Sequence, residues 1–278
     1  MRDSFLKEFQ GKGRDHMLIK ANGIQTNYVL SGKKDGPVVM MSHSLGSSVV
    51  MWEPQMAALE PHFRVLRYDT RGHGGTEVTP GGYTLELLAK DAVGLIDALG
   101  IKDVHWVGLS MGGMIGQCLG LNHADRVRSL VLCDTSTIVP NEMQPVWQER
   151  IDRARSKGME ALAEETMERW FTAPYIKKSP EMFKLICNQF LATPVQGFIG
   201  CGEAIRRLNF LERLSLINKP TLIIAGDDDP SAPAAGIKGM QERIKGARVA
   251  VLPSARHISN VEQAEAFNAA LLKFLQAL

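Results

Sequence analysis

Short, wholly apolar runs alternate with amphipathic stretches along this chain, and the two patterns predict its elements. Val38–Val39–Met40–Met41, Val104 to Leu109, Leu130–Val131–Leu132–Cys133, the run from Pro220 to Gly226 and that from Arg248 to Leu252 are of strand length. Most lack polar alternation, which is how a strand covered on both faces reads. Phe63 to Tyr68 is a further strand. Met17–Lys20 and Ile24–Leu30 flank Asn22–Gly23, a dipeptide suited to a two-residue hairpin turn because both positions tolerate positive φ. Helical signals fall between the strands. Thr84 is placed as an N-cap, Leu88, Ala92, Leu95, Ile96 and Leu99 share one face, and Gly100 stops the helix. Alternating strand and helix predict an α/β fold with a doubly wound, mostly parallel sheet and right-handed crossovers.

From Ile138 to Phe210 the alternation stops. The chain becomes helical and amphipathic, with Trp147, Trp170, Phe183 and Phe190 spread along it and prolines at 140, 145, 174, 180 and 194. The expected organisation is therefore a core domain of residues 1–137 and 211–278, with 138–210 inserted as a helical cap. A final helix is expected to carry Val261, Ala264, Phe267, Leu271, Phe274 and Leu278 on one stripe.

Composition narrows the classes of function. The chain has 278 residues, and 32 basic and 30 acidic residues give a net charge of +2. The charges are interspersed, without the basic block that nucleic acid binding needs. No apolar run approaches the roughly 20 residues of a membrane span, and Met1 to Gln10 carry scattered charges instead of an apolar signal core. A soluble cytoplasmic protein is expected, with neither nucleic acid nor membrane as partner. Cys118, Cys133, Cys187 and Cys201 are widely spaced with no C-x-x-C pairing, so they read as buried thiols and not as metal ligands.

The chemistry concentrates at Gly108–Leu109–Ser110–Met111–Gly112. An apolar strand stops at a glycine, one serine follows, and a helix begins at once: the G-x-S-x-G pattern of a strand–turn–helix elbow. In that turn the serine hydroxyl stands clear of the sheet, and the Met111 N–H at the helix start faces any negative charge developing beside it. The competing reading is a Gly-rich loop closing a helix.

A serine hydroxyl needs a base beside it and a carboxylate to orient that base. Asp229, in Gly226–Asp227–Asp228–Asp229–Pro230, follows one predicted strand, and His257 follows the last. The carboxyl ends of parallel strands share one edge, so Ser110, Asp229 and His257 would meet there. Three aspartates before a proline also read as an exposed turn, a lone loop histidine as solvated, and Asp134, just past Cys133, is a rival carboxylate. The Ser42–Ser47 loop is placed to supply a second oxyanion amide, that of Leu45, beside Met111. His43 in that loop precedes the nucleophile and reads as a brace.

These residues resemble the α/β-hydrolase fold family and, within it, the 3-oxoadipate enol-lactonases of aromatic catabolism, the β-ketoadipate pathway. The resemblance runs from about Ile24 through Ser42–Gly46, Arg67–Gly74 and Gly108–Met114. It continues through Trp147–Ile151, Arg169–Thr172 and Ala204–Arg206, and ends at His257–Gln263. It implies Ser110 as nucleophile, His257 as base, and Asp229 over Asp134 as acid, through Gly-x-x-Asp-x-x-x-Pro ending at Pro233. It also implies cleavage of a small lactone or ester through an acyl-enzyme, with no metal or organic cofactor. His43 and the polar lead before Met17 depart from that pattern. Trp147 and Arg150, three apart on a predicted helix, place an aromatic wall beside a cation; with Trp170 and Arg206 they are the candidate substrate contacts. A general carboxylesterase acting on neutral esters and a small-molecule receptor with a vestigial triad are the alternatives, and a homo-oligomer is compatible with the sequence.

Overall fold

A computed structural model describes residues 15–232 and 234–278; Met1 to Gln10 and Pro233 lie outside the described residues. The strands are β1 (Met17–Ala21), β2 (Ile24–Gly32), β3 (Val38–Ser42), β4 (Arg64–Tyr68), β5 (Val104–Leu109), β6 (Val127–Cys133), β7 (Thr221–Gly226) and β8 (Arg248–Leu252). They form one sheet in the order β1-β2-β4-β3-β5-β6-β7-β8. β1 and β2 make the antiparallel hairpin, turning at Asn22 (φ 46°) and Gly23 (φ 84°). β2 runs antiparallel to β4, and every later pairing is parallel. β5 and β7 are buried throughout their length, as expected of central strands covered on both faces. At the edge, β8 is largely open to solvent.

Helices α1 (Glu53–Leu59), α2 (Leu85–Ala98) and α3 (Met111–Asn122) follow β3, β4 and β5. Thr84 caps α2, its hydroxyl accepting the Leu87 N–H. Between β6 and β7 come α4 (Gln144–Lys157), α5 (Glu160–Trp170), α6 (Ala173–Lys178), α7 (Pro180–Ala192) and α8 (Val195–Arg206). The neck of this insertion is stitched closed: Ile138 bridges Asn209, the Phe210 N–H donates to Thr137 O at 2.8 Å, and the Val139 N–H donates to Leu208 O at 2.9 Å. The insertion sits directly on the loops at the carboxyl edge of the sheet. A Cβ on Gly197 would stand 1.9 Å from Gly72 O, so backbone touches backbone there and only glycine fits.

After β7 and β8 come α9 (Ala234–Arg243), α10 (Ser259–Glu262) and α11 (Ala264–Leu275). The expected final stripe is interrupted. Gln263 leaves the helical region (φ −121°, ψ 50°), so Val261 lies on the short α10, Phe267, Leu271 and Phe274 are buried from α11, and Leu278 lies past the helix end with 56% of its surface exposed. The break lets the chain turn out of the loop after β8 before packing on α1, with Phe267 meeting Trp52, the residue just before α1, at 6.3 Å between ring centroids. Among the described residues no helix is long and apolar enough to cross a membrane.

The elbow gives the sharpest packing test. A Cβ on Gly112 would lie 2.1 Å from Ser42 O, whereas one on exposed Gly236 in α9 would meet nothing within 4 Å. Gly112→Ala is expected to lower the unfolding free energy by at least about 1–3 kcal/mol, and Gly236→Ala to raise it by about 0.5–1 kcal/mol. Denaturant titrations of both variants check the pair.

Candidate active site

Ser110 sits between β5 and α3 at φ 55°, ψ −113°, a conformation L-residues avoid unless the surroundings enforce it. Here they do. Its N–H donates to Cys133 O at 2.8 Å, and its carbonyl accepts the Thr135 hydroxyl at 2.8 Å and the Met114 N–H at 3.0 Å. Trp106 Nε1–H donates to Gly112 O at 3.0 Å, bracing the far side of the turn.

The loops after β7 and β8 bring Asp229 and His257 together. His257 Nδ1 lies 2.8 Å from Asp229 Oδ2, and Asp229 Oδ1 accepts the Ser231 N–H at 2.8 Å. Nδ1 is thereby turned to Asp229, the orientation in which a neutral imidazole presents Nε2 as the acceptor that a base requires. Both side chains are buried. Asp134 reaches the same edge but is aimed elsewhere: Oδ1 accepts the Gly226 N–H at 2.8 Å and Oδ2 the Ser259 hydroxyl at 2.5 Å. Burial, reinforced by the neighbouring Asp229 charge, pushes its carboxyl well above the ordinary range. Its φ of 44° marks it as a second strained strand end beside Ser110.

The Leu45 and Met111 amides donate to no protein group among the described residues, which leaves both for a ligand. Their loop is held by two buried histidines. His43 Nε2 accepts the Thr70 N–H at 2.9 Å while Nδ1–H donates to Ser44 O at 2.8 Å. His73 Nε2 accepts the Gly46 N–H at 3.0 Å, with Nδ1 turned toward Arg71 O at 3.3 Å. An amide N–H can only donate, so both imidazoles are neutral. Burial drives His43 down to about 4 and His73 to about 3, His73 also repelled by His43. His43 is thus a brace. The part played by His73 was not legible in sequence, where it stands only as one residue of a glycine-studded loop.

The insertion contributes aromatic and cationic groups. The Trp170 ring lies 6.5 Å from that of His257 and 5.7 Å from Phe190. On α4 the Arg150 guanidinium stacks 4.7 Å over Trp147. Arg150 is buried yet makes no ion pair or hydrogen bond among the described residues. The nearby carboxylates are engaged elsewhere, Glu149 by Arg153 at 3.3 Å and Glu165 by Arg153 at 3.0 Å and Arg169 at 3.8 Å. Burial, with Arg169 alongside, pushes Arg150 down to about 9. Arg206 differs: its guanidinium bonds Gln148 and pairs with Glu203 at 3.4 Å, so it already has a counter-charge.

Residues 37–264 match the family model described as alpha/beta hydrolase fold. The 3-oxoadipate enol-lactonase 2 of Acinetobacter baylyi is 34% identical over 91% of this chain and 94% of its own length. The crystal structure of the enol-lactonase from Burkholderia xenovorans is 40% identical, covers 94% of this chain and 100% of its own, and superposes with a TM-score of 0.90. A Yersinia enterocolitica relative named for carbamate hydrolysis, RutD, is 30% identical over 85% of this chain and 86% of its own length.

The buried histidines make stability depend on acid. Unfolded, each titrates near 6.5; folded, His43 does so near 4. Between those values the unfolded chain binds a proton that the folded chain refuses, so the unfolding free energy falls as pH is lowered from about 6.5 to about 4. His43→Gln, which keeps one donor and one acceptor, is expected to flatten that fall by roughly 3 kcal/mol. The opposing contribution of Asp134, whose raised carboxyl favours the fold at low pH, is common to both proteins and cancels in the difference. Urea titrations at a series of pH values measure it, and parallel curves for the two proteins would contradict the buried neutral state.

Proposed function

Because the chain belongs to the α/β-hydrolase fold family, we propose that it is a serine hydrolase opening a lactone or ester that carries a free carboxylate, 3-oxoadipate enol-lactone being the substrate that fits best. Ser110 is the nucleophile, His257 the base, Asp229 its orienting acid, and the amides of Leu45 and Met111 the oxyanion hole. Residues 138–210 act as the cap that encloses the substrate, with Trp147, Arg150 and Trp170 facing it.

In this scheme His257 Nε2 takes the hydroxyl proton as Ser110 Oγ attacks the carbonyl carbon. Asp229 stabilises the imidazolium, and the two amides hold the oxyanion. Collapse expels the ring oxygen as an enolate, which takes the proton from His257. Water, deprotonated by the same histidine, then attacks the acyl-enzyme; its hydroxyl ends in the product carboxyl and Ser110 recovers its proton. These steps use no metal or organic cofactor.

The observation that carries the substrate reading is Arg150. A buried guanidinium without a counter-charge is unfavourable, and a ligand carboxylate can pair with it bidentately at fixed geometry. A neutral ester or carbamate would leave that cation uncompensated. The similarity to two enol-lactonases supports the same choice, while the carbamate-hydrolase relative places carbamates in the assay panel.

Ser110→Ala is expected to lower kcat by about 10⁶-fold, and Asp229→Asn by about 10⁴-fold, with Asp134→Asn milder. Near-normal turnover by the first variant, or the reverse ranking of the other two, would sink the assignment. Arg150→Ala should lower kcat/KM for the carboxylate-bearing lactone by about 10- to 100-fold while sparing a neutral aryl ester. Equal losses on both would return Arg150 to packing, and a wild-type preference for neutral esters would favour the general esterase reading. A burst of product from an activated ester separates turnover from a receptor with a vestigial triad.

A further inference from the structure

Glu262, at the end of the short α10 that begins two residues after the base, has a role that the hydrolytic steps leave unassigned. Glu262 is buried and uses both carboxylate oxygens. Oε2 accepts the N–H of Arg256, the residue before His257, at 2.6 Å. Oε1 accepts both the N–H and the hydroxyl of Thr172, two residues past Trp170, at 2.8 Å each. Further bonds join the same two segments. The Ile258 N–H donates to Trp170 O at 3.3 Å and the Arg256 guanidinium donates to Glu168 O at 2.5 Å, while the same guanidinium also pairs with Asp228 of the loop after β7 at 2.9 Å. The loop of the base and the end of α5 are thereby tied on either side of the His257–Trp170 ring contact.

We infer that Glu262 is a positioning residue for the hydrolytic reaction: its carboxylate locks the backbone next to His257 to the backbone next to Trp170, so the base and the aromatic wall move as one unit. The inference rests on the serine-hydrolase reading above. Burial raises the Glu262 carboxyl and the bonds from Thr172 and Arg256 lower it again; an ionised carboxylate satisfies all three donors at once, since it accepts at both oxygens and has no proton of its own to place. Glutamine of the same length would turn an NH₂ toward either the Arg256 N–H or the Thr172 pair, a donor facing a donor.

The test compares wild type, Glu262→Gln, Thr172→Val and the double variant, each well below its thermal midpoint by circular dichroism. Two quantities are read: the rate at which an aryl fluorophosphonate labels Ser110, and kcat and KM for a neutral aryl ester, which makes no use of Arg150. Glu262→Gln is expected to slow labelling and to lower kcat on the order of 10²-fold, the scale of a displaced catalytic group, with KM little changed. Thr172→Val, which removes one of the three donors to Glu262 together with the hydroxyl that accepts the Tyr175 N–H, should give a smaller loss in the same direction, and the double variant less than the product of the two losses, because the Glu262–Thr172 hydroxyl bond is common to both. A labelled wild type with Glu262→Gln labelled equally fast, or with its loss confined to KM or to the thermal midpoint, overturns the inference alone. A wild type that is not labelled overturns the serine reading and this inference together. If Glu262→Gln does not fold, Thr172→Val decides, and an unchanged labelling rate there refutes the coupling.

Discussion

Everything at the carboxyl edge depends on the enforced backbone of Ser110. A residue at φ 55°, ψ −113° returns to a relaxed conformation unless its neighbours resist, and the resistance comes from three directions. β6 accepts its N–H, Thr135 donates to its carbonyl, and the glycines on either side admit the carbonyl oxygens of Gly112 and Ser42 where any larger residue would collide. The strain is held by sheet and helix packing that is stable for other reasons, which is how such sites persist. The same geometry starts α3 at Met111 and so aims its first amide toward the serine.

Around that point the loops are buried and polar, a combination that is costly unless each group is paired. The pairing is done by a few multivalent side chains. Asp69 accepts the Val49 N–H, the Gly75 N–H and the Asn27 amide at 2.7–2.8 Å, and Arg71 grips Asp91 with two bonds of 2.6 and 2.7 Å. His43 and His73 stay neutral so that each can accept one amide N–H and turn its other nitrogen toward a carbonyl. The result is a frame in which the Gly46, Ser47 and Thr70 amides are taken up by protein acceptors, while those of Leu45 and Met111 donate to no protein group among the described residues.

Arg150 runs against that economy. Of Arg150, Arg153 and Arg169, which lie beside Glu149 and Glu165 on α4 and α5, the one that is buried is the one left without a carboxylate partner. Its stacking on Trp147 offsets part of the desolvation, but folding alone would favour a pair or a neutral side chain. A local departure from stability of this kind is expected at a binding site.

Several features were decided by local patterns and so were legible in sequence. Asn22–Gly23 specifies its turn by backbone freedom, Thr84 caps α2 through its own hydroxyl, and the apolar runs of β5 and β7 declare strands covered on both faces. Gly108–Leu109–Ser110–Met111–Gly112 carries its elbow because glycine is a steric requirement of the turn itself. Other features exist only once distant segments meet. Whether Asp134 or Asp229 faces His257 is a matter of where two loops point, and both follow apolar strands in the same way. The separate fates of Arg150 and Arg206 follow from which glutamates lie within reach, and those come from other turns and other helices. The work of His73 and Glu262 is likewise invisible along the chain, because the amides they bind lie at Gly46 and Thr172, on segments that only the sheet order and the seating of the helical insertion bring alongside.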